Sequence, residues 1–391
     1  MLLSGLHPGA QQRSLADIRM NLVFFVHSLI SDWNNGNAHF HRGIISELLS
    51  RGHQVRVFEP ADAWSVTSMI ASEGSACLEG FHKAYPELHS EGYPALDLRS
   101  MCAGADAIVV HEWNPPELLR EVSAYAASHP QSALLFHDTH HRAASDPAYF
   151  AQLDLDGFDG VLAYGRSLAR LYKAKTDRVW VWHEAADVRR FRPLPHPDER
   201  RDLVWIGNWG DDERTREISE FFIEPAKQLR LRATVYGVRY PEAAQRALSD
   251  AGVQYGGWLP NYRVPETFAQ FRATVHIPRG PYVKQLPGIP TIRPFEALAC
   301  GIPMVSAPWP DDEGLFSPGK DFLVAADRAE MLAHLEELLQ SKTLAEAVRR
   351  HGLRTIQSRH TCGHRVNELL DIITDIHGRK RLRLSTRSSF P

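Results

Sequence analysis

The stretch 290–303 (PTIRPFEALACGIP) combines a helix start with positive charge, a pairing that commonly binds phosphate groups. Pro294 suits the first turn of a helix, where a missing N–H costs nothing. The free N–H groups of that turn, at Thr291, Ile292 and Arg293, could hold a diphosphate, and the Arg293 guanidinium adds charge beside them. The segment therefore predicts a diphosphate site.

Glu296 lies within about one turn of the same helix start. A carboxylate there could accept hydrogen bonds from two hydroxyl groups of a ribose, or it could simply complement the helix dipole. A second anion site is indicated by the loop 34–37 (NNGN), where Gly36 lets the backbone approach a ligand and Asn37 precedes a helix. The loop also suits an ordinary turn and N-cap, since it is not a GxGxxG fingerprint.

The densest group of titratable side chains is the run HDTHH, which contains His137, Asp138, His140 and His141. Imidazole and carboxylate are common metal ligands, but the spacing is not that of a helical HExxH motif. We therefore predict no metal here, and expect His137 to hydrogen-bond a hydroxyl or a leaving group of the substrate. A solvated, histidine-rich loop is the alternative. His39 and His41 are interpreted as surface or packing residues.

Short apolar runs alternate with helical patterns along most of the chain, which predicts an α/β fold built from two doubly wound, Rossmann-like parallel sheets. Ligands bind at the carboxyl ends of such strands, so polar residues that follow strands are the first candidates for a site. In the first half these are His111, Glu112, His137, Asp138 and the loop 32–37. In the second half they are Gly207, Asn208, Gly237, Arg279, Lys284 and the turn before Arg293.

The 391 residues divide by pattern into six segments. Residues 1–19 are expected to be an extension, a tag or an upstream-start artefact, and 20–190 a first Rossmann-like domain on the acceptor side. The proline-rich stretch 191–202 is predicted to be a linker, and 203–358 a second Rossmann-like domain that binds the donor. A helix at 359–377 is expected to cross back onto the first domain. The basic tail 378–391 is expected to be disordered.

Composition excludes several classes of protein. A formal net charge of −3 argues against a dominant polyanion-binding surface, and no apolar run approaches the roughly 20 residues needed to span a bilayer. Four scattered cysteines form no CxxC pair, so a reducing cytoplasm is expected and zinc ligation by cysteine is not. The chain has neither a GxSxG nucleophile elbow nor a phosphate-binding GxxxxGK[ST] loop.

At this point the sequence resembles a known family. The stretch 292–303 (IRPFEALACGIP) looks like the C-terminal signature of retaining GT-B glycosyltransferases, the group 1 or GT4-like enzymes, and its Arg-x-Phe-Glu-Ala form is closer to the branch of CgeB-like proteins. Five further stretches agree in order and spacing: 33–57, 105–116, 134–137, 184–193 and 320–325. Each is weak alone, but their order is specific, and together they span about residues 20–360.

The resemblance implies two sheets facing across a cleft and a role for each matched position. Gly36 would sit against the donor diphosphate, and His137 would contact the donor sugar and the reacting centre. Glu296 would bind the nucleotide ribose, and the N–H groups at 291–293 would hold phosphate. The implied reaction moves a sugar from a nucleoside diphosphate sugar to a hydroxyl of a sugar, glycan, lipid or other acceptor, with retention, without metal and without any further cofactor.

Two departures from the family pattern bear on the donor. The first of two glutamates spaced eight apart is replaced by Gly288. The basic residues expected near Asn208 and Thr215 are missing, so Arg214 or Arg216 is expected to substitute, with Arg279 and Lys284 as further cations for the diphosphate.

Three other functions stay open at this level. The protein could be an inverting transferase or an epimerase of the same fold, or a nucleotide-sugar-binding protein without catalysis. It could also be a glycosyltransferase that modifies nucleic acid, for which the basic tail is the only hint. That tail would then contact nucleic acid, or a membrane surface.

Overall fold

The computed structural model describes residues 19–210 and 212–388. The expectation for residues 1–19 therefore lies outside the described residues, except for Arg19. Two parallel sheets form the framework, one in each half of the chain, and both are flanked by helices. No helix in the described ranges is both long enough and apolar enough to cross a lipid bilayer.

The N-terminal half contains a seven-stranded sheet of order β3-β2-β1-β4-β5-β6-β7. Its strands are β1 (Asn21–Phe25), β2 (Gln54–Pro60), β3 (Glu91–Tyr93), β4 (Ala107–His111), β5 (Ala133–Asp138), β6 (Gly160–Ala163) and β7 (Val179–Val181). Its helices are α1 (Asn37–Ser50), α2 (Trp64–Glu73), α3 (Ala76–Ala84), α4 (Leu98–Met101), α5 (Pro116–Ser128), α6 (Arg142–Ser145), α7 (Pro147–Gln152) and α8 (Arg166–Tyr172).

The C-terminal half contains a six-stranded parallel sheet of order β10-β9-β8-β11-β12-β13. Its strands are β8 (Arg201–Ile206), β9 (Ala233–Tyr236), β10 (Gln254–Tyr255), β11 (Phe271–His276), β12 (Met304–Ser306) and β13 (Leu323–Val324). Its helices are α9 (Thr215–Ile218), a π-helical turn (Ser219–Ile223), α10 (Glu224–Gln228), α11 (Glu242–Asp250), a 3₁₀ turn (Asn261–Arg263), α12 (Val264–Ala269), α13 (Gly280–Lys284), α14 (Ile292–Cys300), α15 (Arg328–Gln340) and α16 (Lys342–Arg359).

Buried strands rich in valine, leucine and phenylalanine explain both sheets. All residues of β4, β5 and β6 are buried, as expected for parallel strands covered by helices on both faces. Helix α14 is buried along nearly its whole length and ends at Gly301, whose left-handed φ of 66° is typical of a glycine that terminates a helix. The helix start that carries the predicted diphosphate site is therefore held firmly against the second sheet.

The last helix, α17 (Cys362–Ser388), returns from the C-terminal half to the N-terminal sheet. Its apolar side chains, including Val366, Leu369 and Ile373, join the core that also contains α1. The basic tail predicted to be disordered from 378 onward is helical up to Ser388, and residues 389–391 lie outside the described residues. Lys380 pairs with Asp159 at 2.6 Å, which holds this part of α17 on the N-terminal half.

Candidate functional site

A cavity of about 210 Å³ lies between the carboxyl ends of the two sheets. From the N-terminal half it is lined by Asn34, Asn35, Gly36, Asn37, His39, Trp64, Trp113, Thr139, His140, Tyr164 and Glu184. From the C-terminal half it is lined by Trp205, Ile206, Gly207, Asn208, Arg214, His276, Ile277, Arg279, Tyr282, Thr291, Ile292 and Arg293. Gly36 and Arg293, from opposite halves, therefore face one cleft.

The structure brings nine of the residues selected from sequence to this wall and leaves seven away from it. On the wall are Gly36, Asn37, Gly207, Asn208, Arg214, Arg279, Thr291, Ile292 and Arg293. Away from it are His111, Glu112, His137, Asp138, Gly237, Lys284 and Glu296. Nearly all of the nine residues on the wall offer backbone or cationic groups from loops and helix starts. Most of the seven residues away from it are buried within one of the two halves.

Three arginines give the C-terminal side of the cavity its charge. Arg214 is buried, donates hydrogen bonds to the carbonyl oxygens of Ile277 (2.9 Å) and Asn208, and has its pKa lowered to about 10 by burial and then by Arg279. Arg279 is paired with Glu213. Of the two arginines expected to replace the missing family cation, Arg214 lies on the cavity wall, whereas Arg216 is 87% exposed and faces Glu220.

The start of α14 adds backbone N–H groups to these cations. Thr291 caps the helix with an extended backbone and no side-chain hydrogen bond, so it leaves the first-turn N–H groups free. Arg293 extends beside them and donates from Nη1 to Glu296 Oε2 at 2.6 Å. A diphosphate in the cavity would meet both a helix N-terminus and guanidinium groups.

Glu296 lies behind this wall. Its carboxylate is 1% exposed and accepts hydrogen bonds from Asn261 Nδ2 (2.7 Å) and Arg293, with His39 Nδ1 at 3.1 Å. Burial acts to raise the pKa of Glu296, but Arg293, His39 and Asn261 together bring it below the usual value. In this conformation the carboxylate is buried and does not line the cavity, and its bond to Arg293 fixes the orientation of that guanidinium. His39, interpreted from sequence as a surface or packing residue, contributes to the cavity wall.

His137 is also withdrawn from the cavity. It is fully buried, and its Nδ1 lies 3.3 Å from Nε2 of His41 on α1. His137 leaves β5 on the face that α1 covers, so its side chain points into the core and not into the cavity. The wall is formed instead by the next two residues facing the cleft, Thr139 and His140.

The three acceptor-side candidates are buried beside His137. His111 ends β4 inside the core, and Glu112 pairs with Arg142 at 3.2 Å. Asp138 accepts hydrogen bonds from Tyr172 Oη (2.5 Å) and the backbone N–H of His140 (2.8 Å). Burial raises the pKa of Asp138 to about 6 and that of Glu112 well above its usual range. These residues therefore hold the loop that carries Thr139 and His140, and they do not line the cavity.

Gly237 and Lys284 take structural positions outside the wall. A Cβ on Gly237, whose φ is 157°, would lie 2.1 Å from the carbonyl oxygen of Gly207, so only glycine permits the ends of β8 and β9 to approach this closely. Lys284 ends the short helix α13, which presents Tyr282 to the cavity instead, together with Arg279 at its N-cap.

Glu184 is the important residue that was not selected from sequence. It is the only acidic side chain on the cavity wall, is 4% exposed, and has no hydrogen-bond or ion-pair partner within the described parts of the chain. Burial, and then the nearby charge of Glu296, raises its pKa well above the usual range. Its position shortly after β7, at the carboxyl end of a parallel strand, was the available signal.

Hydrogen bonds between the halves close the cleft around the cavity. Asn208 Nδ2 donates to Asn34 Oδ1 at 2.7 Å, and Trp258 Nε1 donates to Asp32 Oδ1 at 3.0 Å. Asp32 is fixed in turn by Arg42 at 2.7 Å. The loop of residues 32–37 thus bridges the two sheets, and the structure represents a closed arrangement.

Comparisons with known proteins agree with this architecture. Residues 214–371 match the sequence profile of the family described as "Glycosyl transferase-like", which names no branch within it. A search of curated proteins finds no match. Among solved structures, sucrose-phosphate synthase from Thermosynechococcus elongatus is similar, with a TM-score of 0.65 and 12% identity over 92% of this chain and 100% of that chain.

Two other solved structures have the same fold. A glycosyltransferase from Rickettsia africae gives a TM-score of 0.64 at 10% identity, covering 92% of this chain and 98% of that chain. Anabaena HepE, in complex with UDP and glucose, gives 0.62 at 13% identity, covering 91% and 100%. The two facing sheets and the cleft between them define a protein of the GT-B fold. With the family match in its C-terminal half, the protein is a glycosyltransferase.

Proposed function

We propose that this protein transfers a sugar from a nucleoside diphosphate sugar to an acceptor hydroxyl, in the cavity between its two sheets. The observation that carries the proposal is the C-terminal wall, where Arg214, Arg279 and Arg293 surround the free start of α14 and face Gly36 across the cleft. Cations and helix N–H groups in one enclosed place suit a diphosphate leaving group.

A uridine nucleotide is the first donor to test. The Anabaena structure contains UDP and glucose, and a structure of the T4 phage enzyme BGT contains UDP-glucose. Both have the same fold as this chain, although their identity to it is 13%. We propose UDP-glucose, or a related UDP-hexose, as the donor.

The proposed sugar transfer requires stabilisation of the departing diphosphate. As the glycosidic bond breaks, negative charge grows on the leaving phosphate, and each preorganised donor aimed at it contributes about 3 kcal/mol. We propose that the three arginines and the N–H groups of α14 supply this stabilisation, a role that makes a divalent cation at the diphosphate unnecessary. Retention of configuration follows from the sequence resemblance, and analysis of the product anomer tests it.

Glu184 is proposed to hold the donor sugar. The position of the missing family glutamate, Gly288, has a φ of 86°, and a Cβ there would lie 3.0 Å from Cγ of Glu313. A carboxylate cannot be placed from that position without moving Glu313, whose oxygens already face Arg166 and His183. Glu184 is the acid that remains on the wall, with its oxygens free for sugar hydroxyls.

The acceptor is proposed to approach along the N-terminal side, between Trp64 and Trp113. Trp64 is 39% exposed and stacks on His27, so a broad apolar face is held at the cavity rim. Such a face suits the apolar side of a sugar ring. Carbohydrate acceptors are therefore the first class to test, with lipid-linked sugars as the second and DNA, which a similar glucosyltransferase structure contains, as the third.

The deciding experiment is a donor screen. UDP-, GDP-, dTDP- and ADP-sugars are compared by thermal shift, and the donors that bind are assayed for hydrolysis and for transfer to an acceptor panel. We expect UDP-hexose to bind and turn over, with kcat/KM reduced about 100-fold in Arg279→Ala, since one preorganised donor is lost.

The matched control is Arg216→Ala, an exposed arginine two residues after Arg214, which should leave kcat/KM unchanged. Binding of a nucleotide sugar with no hydrolysis and no transfer to any acceptor would identify a binding protein without catalysis. Absence of binding to all four nucleotide sugars would reject the proposal.

A further inference from the structure

Three histidines from separate elements meet on one face of the N-terminal sheet. His111 and His137 are register partners in the neighbouring parallel strands β4 and β5, so their side chains leave the same face. His41 reaches them from α1, which covers that face. The ring centroids lie 4.7 Å apart for His41 and His111, and 5.4 Å apart for the other two pairs.

The hydrogen-bond partners of these rings are incomplete. His111 Nε2 bonds to Thr139 Oγ1 at 2.8 Å, whereas its Nδ1 is buried without a partner. His41 Nε2 lies 3.3 Å from His137 Nδ1, and His137 Nε2 is buried without a partner. An unpaired buried polar atom costs about 1–3 kcal/mol, so the unpartnered Nδ1 of His111, beside the nitrogens of His41 and His137, indicates that something else occupies its lone pair.

The spacing of the nitrogens matches one shared ligand. One nitrogen from each of the three rings lies within 4.8 Å of the other two. Two imidazole nitrogens on a tetrahedral zinc, each at about 2.1 Å from the metal, lie about 3.4 Å apart. The distance of 3.3 Å between His41 Nε2 and His137 Nδ1 is close to this value.

We propose that His41, His111 and His137 form a buried site for one transition-metal ion, zinc being the best match. Imidazole is the side chain that zinc, copper and nickel share as a ligand, and three imidazoles with one open position form a known zinc arrangement. A metal-bound histidine usually uses its other ring nitrogen for a hydrogen bond that fixes the orientation of the ring. The hydrogen bond between His111 Nε2 and Thr139 would do this here.

The protonation state of the cluster is compatible with metal binding. Burial lowers the pKa of His41 to about 3, and those of His111 and His137 well below the usual range. All three rings are therefore neutral near pH 7, which leaves lone pairs available for a metal.

The site is separate from the cavity of the proposed reaction but is connected to it. Thr139, the hydrogen-bond partner of His111, lines that cavity. The ion would thus hold the end of β5 in place behind the wall. The proposal does not depend on the proposed function, because metal binding can be measured without nucleotide, donor or acceptor.

The test uses the full chain without a polyhistidine tag, stripped with a chelator and dialysed against zinc. We expect about one zinc per chain by elemental analysis, a rise in melting temperature on adding zinc, and the visible absorption of tetrahedral cobalt when cobalt(II) replaces it. His111→Gln should lose all three signals, and the matched control His196→Gln, an exposed histidine, should keep them.

Two outcomes would overturn the proposal. One is a folded wild-type chain that retains less than about a tenth of a zinc per chain and shows neither a thermal shift nor a cobalt spectrum. The other is an unchanged stoichiometry and spectrum in His111→Gln, which would place any bound metal elsewhere. If His111→Gln does not fold, the wild-type zinc content, thermal shift and cobalt spectrum decide the question.

Discussion

The carboxyl ends of the two sheets carry opposite kinds of chemistry. At the N-terminal sheet, His111, His137 and Asp138 are all buried, and burial shifts the pKa of each toward its neutral form. At the C-terminal sheet, Arg214 and Arg279 bring permanent charge to the cavity wall. The comparison teaches that the C-terminal half presents permanent positive charge at the cavity wall, whereas the N-terminal half holds buried, neutral side chains behind that wall.

The largest expected effect comes from removing the Glu296 carboxylate, which orients Arg293 at the C-terminal wall of the cavity. Glu296→Ala should lower the free energy of unfolding by about 3 kcal/mol, because Arg293 then loses a buried partner. Nucleotide affinity should fall with it, since Arg293 is no longer oriented. Urea denaturation and calorimetry with UDP measure the two effects. Glu220→Ala, at a more exposed pair with Arg216, should cost less than about 0.5 kcal/mol. Equal losses in both variants would contradict the supporting role.

Substitutions of Glu184 test whether the N-terminal half contributes to catalysis. Glu184→Ala should lower kcat/KM for the donor sugar by about 30-fold, which is about 2 kcal/mol for a lost hydrogen bond to a charged or strongly polar group. Affinity for free UDP should not change, because the contact is to the sugar. Glu184→Gln, which keeps hydrogen-bonding capacity, should recover part of the loss. A parallel fall in UDP affinity would place Glu184 at the nucleotide instead.

The dependence of stability on pH tests whether the His276 imidazole, in the C-terminal half, is kept neutral in the folded protein. Burial, and then Arg214 and Arg293, lower the pKa of His276 to about 3, so the folded protein keeps this ring neutral. The unfolded chain takes up a proton below about pH 6.5, so the stability from this group is complete above that pH and falls by up to about 1.4 kcal/mol per pH unit below it. His276→Gln should reduce the slope of unfolding free energy between pH 6.5 and 5.

The control for this slope is His196→Gln, an exposed residue that should leave it unchanged. Bound UDP should also reduce the wild-type slope, because a diphosphate near His276 favours its protonated form. A slope that is identical in wild-type and His276→Gln proteins would show that this ring is not held neutral.

The smallest effect on donor turnover is expected from the hydrogen bond that joins Asn34 of the N-terminal half to Asn208 of the C-terminal half. Asn34→Ala removes the 2.7 Å hydrogen bond to Asn208, worth about 1 kcal/mol, and should raise the KM for the donor about fivefold with little change in kcat. Ser72→Ala, on an exposed helix face of the same half, is the control. A fall in kcat without a change in KM would show that this bond serves the reaction rather than closure of the cleft.

The sequence by itself determined the two parallel sheets and the position of the helix start at α14, which is predicted to bind an anion. These features depend on local information: apolar runs that must be buried, a proline in the first turn and a glycine at the helix end. Gly36, Arg214, Arg279 and Arg293 were found for the same reason, because loops and helix starts after parallel strands face the cleft.

Only the tertiary structure decided which of the neighbouring polar residues face the ligand. His137 lies within β5 and leaves it on the face that α1 covers, whereas Thr139 and His140 follow the end of the strand and reach the cavity. Glu296 is occupied by Asn261 and His39, partners far from it in sequence. Among the described residues Glu184 is the only acid on the wall, and Lys380 of the basic tail pairs with Asp159, both through folding of distant parts of the chain that no local pattern encodes.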